Sequence, residues 1–363
     1  MLAPHLNRKL GFLVRTVFRL IYVSILLASP VFAADRPLVI PLIKLEYPGN
    51  PPNIRMLYIN ILKLGRRDVD KPILFDTGSS GMTIDCEVVL PSEMCSEKGI
   101  KIKAPVELDG ITVTTEKAVL HYGTYDEYGN IATARVVFGS ASANGGTSEP
   151  VSFLIRYKKV RRATGEIVGG PLWPMGIFGA SPVGGGGPGR KLKSPLLSVT
   201  AGRGLVRGYY LDPISDDWKV CTNERRDCPQ VGALKIGIPR EVRDQFSMSK
   251  WRSANDDFNF PTINACIGWG AEPLCKPTLY DTGNSTIAVA GPASRKIGPS
   301  LRPGASVEVT AGEHADWNFE TTYEPEVEFV PRLNHHIIGI RFFEENSLLF
   351  DFEAAEMGFR IGQ

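Results

Sequence analysis

The sequence predicts a mainly β protein built as two related lobes, and three observations carry that expectation. Short runs rich in Val, Ile, Tyr and Phe recur between Gly, Pro, Asn and Asp, as in strands joined by turns, while apolar residues at helical spacing are scarce. One stretch echoes another: ILFDTGSSGMTI (Ile73 to Ile84) and TLYDTGNSTIAV (Thr278 to Val289) share two apolar residues, Asp-Thr-Gly, a polar pair and further apolar residues. Each copy is followed by an apolar-apolar-Gly, Ile177-Phe178-Gly179 and Ile337-Ile338-Gly339, and a duplicated lobe is the simplest explanation.

The size agrees. At 363 residues the chain exceeds the ~100 to 200 residues of a usual single domain, so two cores or one large β body are expected. With 43% apolar and 22% charged residues, and with Gly 37 and Pro 27 supplying chain reversals, the composition argues against disorder and coiled coil.

The first segment stands apart. Arg8, Lys9, Arg15 and Arg19 precede an apolar run from Leu20 to Ala33 broken by Pro30, the order of a secretory signal. Val31 and Ala33 are small residues at the spacing a signal peptidase prefers, so residues 1–33 read as a signal peptide cleaved after Ala33. The uncharged run is shorter than the ~20 residues a membrane span needs, so no stable span is expected after cleavage. The protein is expected to be exported, to the periplasm or the extracellular space. The signal carries four basic residues and no acidic one, so its removal takes the formal net charge from +2 to −2. Nucleic-acid binding then lacks the clustered positive charge it needs. The run RYKKVRR (Arg156 to Arg162) reads as a solvated loop.

Strands are expected at Met56 to Leu64, Ile73 to Phe75, Ala118 to Tyr122 and Ile131 to Phe138, with a closing hairpin of Leu348 to Phe352 and Met357 to Ile361 around Glu353 to Glu356. LDPIS (Leu211 to Ser215) interrupts a strand-like GYYL and marks the lobe boundary, giving a first lobe of residues 34–212 and a second of 213–363. The six cysteines fall in near pairs, and an even count in an exported chain predicts three short-loop disulfides, Cys86–Cys95, Cys221–Cys228 and Cys266–Cys275. No CxxC or HExxH is present, and the adjacent His335 and His336 would point to opposite faces of a strand, so no metal site is expected.

Each Asp-Thr-Gly follows an apolar pair, which places Asp76 and Asp281 at the ends of buried strands, where each carboxylate can face a cleft. Two carboxylates brought close cannot both ionise readily, so one keeps a proton while the other serves as a base. Such a pair can activate a water molecule against an amide without a covalent intermediate or any cofactor, and it titrates as a unit. Gly78 and Gly283 let the backbone pass behind each carboxylate and donate N–H groups to it. Thr77 and Thr282 can hydrogen-bond across the lobe interface, and Ser79 and Asn284 are expected to donate to the outer carboxylate oxygens.

With these motifs in place, nearly the whole chain after residue 34 resembles, in order, the pepsin-like (family A1) bilobal aspartic peptidases. LYINILKLGRRDVDKPILFDTGSS resembles the start of their first lobe, and HYGTYDEYGNIATARVVFG their hairpin flap, with Tyr122, Gly123 and Thr124 at the flap tip and Tyr122 matching the flap tyrosine. GIFGASP (Gly176 to Pro182) and IIGIRFFEENSLLFDFEAAEMGFRI resemble the segments that thread behind each catalytic loop. The resemblance implies two β-rich lobes around a cleft, an aspartic endopeptidase acting on an extended polypeptide as a monomer, and Asp76 and Asp281 as its catalytic pair. The alternative is a catalytically inactive binding or inhibitor protein on the same scaffold.

There are departures. The family usually has a tryptophan that hydrogen-bonds the flap tyrosine, and the aligned residue here is Thr83. The second lobe is shortened after its motif and expanded before it, around Cys221 to Cys275, so substrate preference does not carry over. So few residues precede Asp76 after the expected cleavage that no inhibitory pro-segment, and hence no zymogen conversion, is expected. GGGGPG (Gly184 to Gly189) matches GxGxxG but carries Pro188 and reads as a surface loop, and glycosylation at Asn284-Ser285-Thr286 would block the expected cleft.

Overall fold

The structure, a computed structural model, describes residues 36–47, 54–140, 145–168, 175–184, 192–220, 228–252, 260–270, 272–291, 298–312 and 315–362. The expected signal peptide, Cys221 of the middle cysteine pair and residues 185–189 of the Gly-rich run lie outside them.

The described strands form two sheets, of 16 and seven strands. The larger begins with Val106–Leu108, Ile111–His121, Tyr125–Ala134 and Val151–Arg161, and continues through Ser80–Asp85, Gly176–Ala180, Arg67–Asp76, Ile54–Leu64 and Leu38–Tyr47. It then passes through Gln230–Ile238 and Val206–Leu211 to the chain's last two strands and Ser247–Lys250. The smaller is drawn wholly from the second half, in the order Ala315–Glu320, Ser306–Ala311, Ile263–Gly268, Leu274–Tyr280, His336–Ile338, Ile287–Val289 and Val327–Phe329.

The duplicated motif folds twice in the same way. Arg67–Asp76 starts exposed and ends on the buried Ile73, Leu74 and Phe75, so the strand enters the core immediately before Asp76. Leu274–Tyr280 does the same, with Leu279 and Tyr280 buried before Asp281. Gly176–Ala180 then lies parallel to Arg67–Asp76, with Gly179 opposite Asp76, and antiparallel to Ser80–Asp85. His336–Ile338 is likewise parallel to Leu274–Tyr280 and antiparallel to Ile287–Val289. The glycine closing each threading segment is a steric requirement. A Cβ at Gly179 would lie 2.5 Å from the Gly81 carbonyl oxygen, and one at Gly339 would lie 2.3 Å from that of Thr286.

Aromatic residues fill the space behind both motifs. Phe178 stacks on Phe75 at 6.2 Å and meets Phe138 edge-on at 5.1 Å, while Phe342 meets Tyr280 edge-on at 4.9 Å and Trp317 at 5.4 Å. Such pairs add ~0.5–1.5 kcal/mol beyond burial itself, so each motif rests on a stiff aromatic floor. The closing hairpin forms one residue earlier than expected, as Ser347–Asp351 with Glu356–Arg360, because Asp351 Oδ1 accepts the N–H groups of Glu353 and Ala354 and so ends the first strand.

Two of the expected disulfides are formed, Cys86–Cys95 and Cys266–Cys275, the latter between facing residues of an antiparallel pair. No free cysteine occurs among the described residues. Among them also, no helix is long and apolar enough to cross a membrane, and no group of three or more His, Cys, Asp and Glu is arranged to hold a metal ion. His336 is engaged structurally, its Nδ1 accepting from the Ala290 N–H at 2.9 Å while Nε2 faces the Leu274 carbonyl at 3.0 Å.

One expectation needs correction. The RYKKVRR run is not a solvated loop: all but its last residue belong to strand Val151–Arg161, and Arg156 is fully buried. The alternating apolar Val151, Phe153 and Ile155 carry the strand into the lobe, and Asp85 and Glu127 receive the Arg156 guanidinium there.

Helix Ile340–Glu345 follows the second threading glycine and directs Glu344 inward. Its carboxylate accepts from Arg55 at 2.8 Å, Trp218 Nε1 at 2.6 Å and Arg341 at 2.9 Å, joining three distant segments. Hydrogen bonds to a buried charge contribute about 1.5–3 kcal/mol each. Glu344→Gln, which keeps the shape and removes the charge, is expected to lower unfolding stability by about 1.5–3 kcal/mol, read by urea titration with Trp fluorescence.

Candidate active site

The two Asp-Thr-Gly loops meet through a reciprocal lattice of hydrogen bonds. The Thr77 N–H donates to Thr282 Oγ1 at 3.1 Å, and the Thr282 N–H donates to Thr77 Oγ1 at 3.0 Å. Each hydroxyl then donates to the carbonyl before the opposite Asp, Thr77 to Tyr280 and Thr282 to Phe75, both at 2.8 Å. Both threonines are fully buried, so water does not compete for these bonds.

This lattice brings Asp76 and Asp281 side by side, and their carboxyl groups hydrogen-bond one another. The approach leaves no room for side chains at the neighbouring glycines. A Cβ at Gly78 would fall 2.4 Å from Asp281 Cγ, and one at Gly283 would fall 2.9 Å from Asp76 Cγ. The Gly78 N–H donates to Asp76 Oδ1 at 2.8 Å and the Gly283 N–H to Asp281 Oδ1 at 2.7 Å.

The outer oxygens differ. Ser79 Oγ donates to Asp76 Oδ2 at 2.5 Å. Asn284 does not do the same for Asp281: its side-chain amide donates to the Thr286 carbonyl at 3.0 Å, which corrects the expectation of a symmetric pair. The amide reaches this carbonyl two residues on and closes a local turn, as Asn side chains readily do. Burial first, and then the neighbouring Asp76 charge, push the Asp281 carboxyl well above the usual carboxylate range, against the lowering effect of the Gly283 and Gly78 N–H groups. The two outer oxygens are thus supported unequally, an asymmetry invisible in two nearly identical motifs.

Strands Ile111–His121 and Tyr125–Ala134 form a hairpin whose turn contains Tyr122, Gly123 and Thr124, closed by the Tyr122 N–H donating to the Tyr125 carbonyl at 2.9 Å. Gly123 and Thr124 are exposed at the tip. Tyr122 turns inward, packing with Met56 against a cluster that includes Ile43, Tyr58, Leu74 and Ile177. Its hydroxyl shares a hydrogen bond with Thr83. Burial, then the charges of Glu127 and Asp76, hold that phenol well above its ordinary range, so it is a neutral hydrogen-bonding group beside the Asp pair. Thr83 Oγ1 also accepts the Ile177 N–H at 3.1 Å, anchoring the contact to the threading segment. The hydroxyl at this position therefore provides Tyr122 with a partner, where the sequence showed only the absence of a tryptophan.

The fold and geometry can be set against known proteins. Among solved structures, the crystal structure of an aspartic proteinase from Irpex lacteus is similar, with a TM-score of 0.53 and 14% sequence identity over 91% of this chain and 98% of that one. No protein-family profile and no curated protein matches the sequence. The likeness shows the fold: this chain has the two-lobed architecture of the aspartic proteinases.

Proposed function

We propose that the protein is an aspartic endopeptidase that hydrolyses peptide bonds in extended polypeptides with a water molecule activated by Asp76 and Asp281. The observation that carries this reading is the contact of the two carboxyl groups, held by the Thr77–Thr282 lattice. Asp76, which accepts from Gly78 and Ser79, removes a proton from the water as its oxygen attacks the peptide carbonyl carbon. Asp281 gives its proton to the carbonyl oxygen, forming a neutral tetrahedral diol. The proton gained by Asp76 then passes to the amide nitrogen, a diol hydroxyl returns its proton to Asp281, and the C–N bond breaks. No cofactor enters this cycle.

Tyr122, Gly123 and Thr124 cover the bound peptide. The protein acts as a monomer, exported to an oxidising compartment, periplasmic or extracellular, a setting that suits the Cys86–Cys95 and Cys266–Cys275 disulfides. The test is cleavage of a peptide library by the purified protein from acid to neutral pH, with and without pepstatin. Activity is expected to be pepstatin-sensitive and to disappear as rising pH removes the Asp281 proton. Folded protein that binds peptides but never cleaves them would favour the inactive binding scaffold. Ser79→Ala, which removes a hydrogen bond to a charged group, is expected to lower kcat by about 10- to 100-fold with little change in KM.

A further inference from the structure

Strand Val151–Arg161 runs beside the flap along its whole return strand, with Arg161 opposite Tyr125 at the tip. The chain then turns back, the Arg161 N–H donating to the Glu166 carbonyl and the Val168 N–H to that of Lys159. The flap is therefore backed by a second hairpin, whose basic residues reach across the pairing. Lys158 lies over the Tyr128 ring at 4.2 Å and Lys159 over Tyr125 at 4.3 Å.

Arg162 is the outermost of these and touches the turn itself at three points. Its N–H donates to the Thr124 carbonyl at 3.0 Å, its Nη1 donates to the Tyr122 carbonyl at 3.3 Å, and its Nε lies 3.4 Å from Asp126 Oδ1. His121 meets the same Asp126 oxygen at 2.8 Å, so the turn is gripped from both sides.

We propose that Arg162 is a positioning residue that latches the flap turn from outside and thereby holds Tyr122 beside the Asp pair, so that the two hairpins open and close together. The substrate role rests on the peptidase reading; the latch itself does not. A flap tied through its turn to a second hairpin cannot lift as a free two-stranded arm. Loss of the Arg162 side chain leaves the backbone bond to Thr124 intact but removes a donor from the Tyr122 carbonyl and leaves Asp126 held by His121. Half of that side chain is exposed, so the effect is modest.

The test is backbone hydrogen exchange of residues 120–128 in the full-length protein, comparing wild type with Arg162→Ala and Arg162→Lys, beside peptide-cleavage kinetics. Arg162→Ala is expected to speed flap exchange about fivefold and to raise KM by a similar factor with kcat within about twofold, while Arg162→Lys falls between. A merely structural role would not divide KM from kcat in this way. Unchanged flap exchange in Arg162→Ala overturns the latch, and faster exchange with unchanged KM overturns the positioning role. If the wild type cleaves nothing, the peptidase reading and the substrate role fail together, and the exchange result still decides the latch.

Discussion

Asp76→Asn and Asp281→Asn are each expected to lower peptide cleavage by about 10⁴-fold. Each positioned proton transfer contributes about 10² to 10⁴ in rate, and here one pair supplies both the acceptor and the donor. An amide at either position keeps the shape and can still accept the N–H of Gly78 or Gly283, so the fold is retained. An independent check comes from stability. Asp281 is held above the ordinary carboxylate range when folded, so the stability it contributes is fully present below about pH 4 and is lost as pH rises through its folded titration. Asp281→Asn removes that loss and is expected to match wild type in acid and exceed it at neutral pH in thermal unfolding. Cleavage that survives both substitutions would sink the dyad assignment, and identical pH–stability curves would sink the account of the proton.

The second large effect is on folding. Arg156→Met is expected to lower unfolding stability at pH 7 by about 3–5 kcal/mol, the usual cost of leaving a buried charge without its partner. Arg156 is fully buried, its Nε and Nη2 donating to the Asp85 carboxylate at 2.7 and 3.1 Å and its Nη1 to Glu127. Two buried carboxylates would remain, near each other and near Lys159, whose ammonium burial already disfavours and Glu127 supports. The deficit has a defined pH dependence. Burial raises the Asp85 carboxyl to about 6, opposed by Arg156. The stability Asp85 contributes is therefore present below about pH 4 and lost as pH rises through about 6. Without Arg156 the carboxylate is harder still to ionise, so the deficit should be largest at pH 7 and shrink toward pH 4. Urea unfolding at three pH values measures it, and a deficit under about 1 kcal/mol, or one independent of pH, would show that the network is not what binds the flap strand to its lobe.

The two sites differ in how much of them the sequence shows. Asp76 and Asp281 were legible because their motif is short, local and present twice, and because apolar flanks announce a buried strand ending on a polar turn. The threading glycines were legible for a similar reason, since Gly179 and Gly339 recur at matching places. The Arg156 to Arg162 run shows no such local signal, because the partners that bury Arg156 lie on other strands: Asp85 is 71 residues away and Glu127 is 29 away. Thr83 drew notice only as a missing tryptophan, and its hydrogen bond to Tyr122 requires the flap to be folded over it.

By itself the sequence determined that two strand-ending aspartates exist, which threonines and glycines accompany them, and that the surrounding chain is β-rich and duplicated. Tertiary structure alone decided that the Asp281 carboxyl is pushed up beside Asp76, that Asn284 bonds the Thr286 carbonyl instead, and that Arg156 of a basic run is buried. The division follows from physics: strand patterns and turns are set by neighbours along the chain, whereas protonation and charge burial depend on desolvation and on partners that only folding brings within a few ångströms.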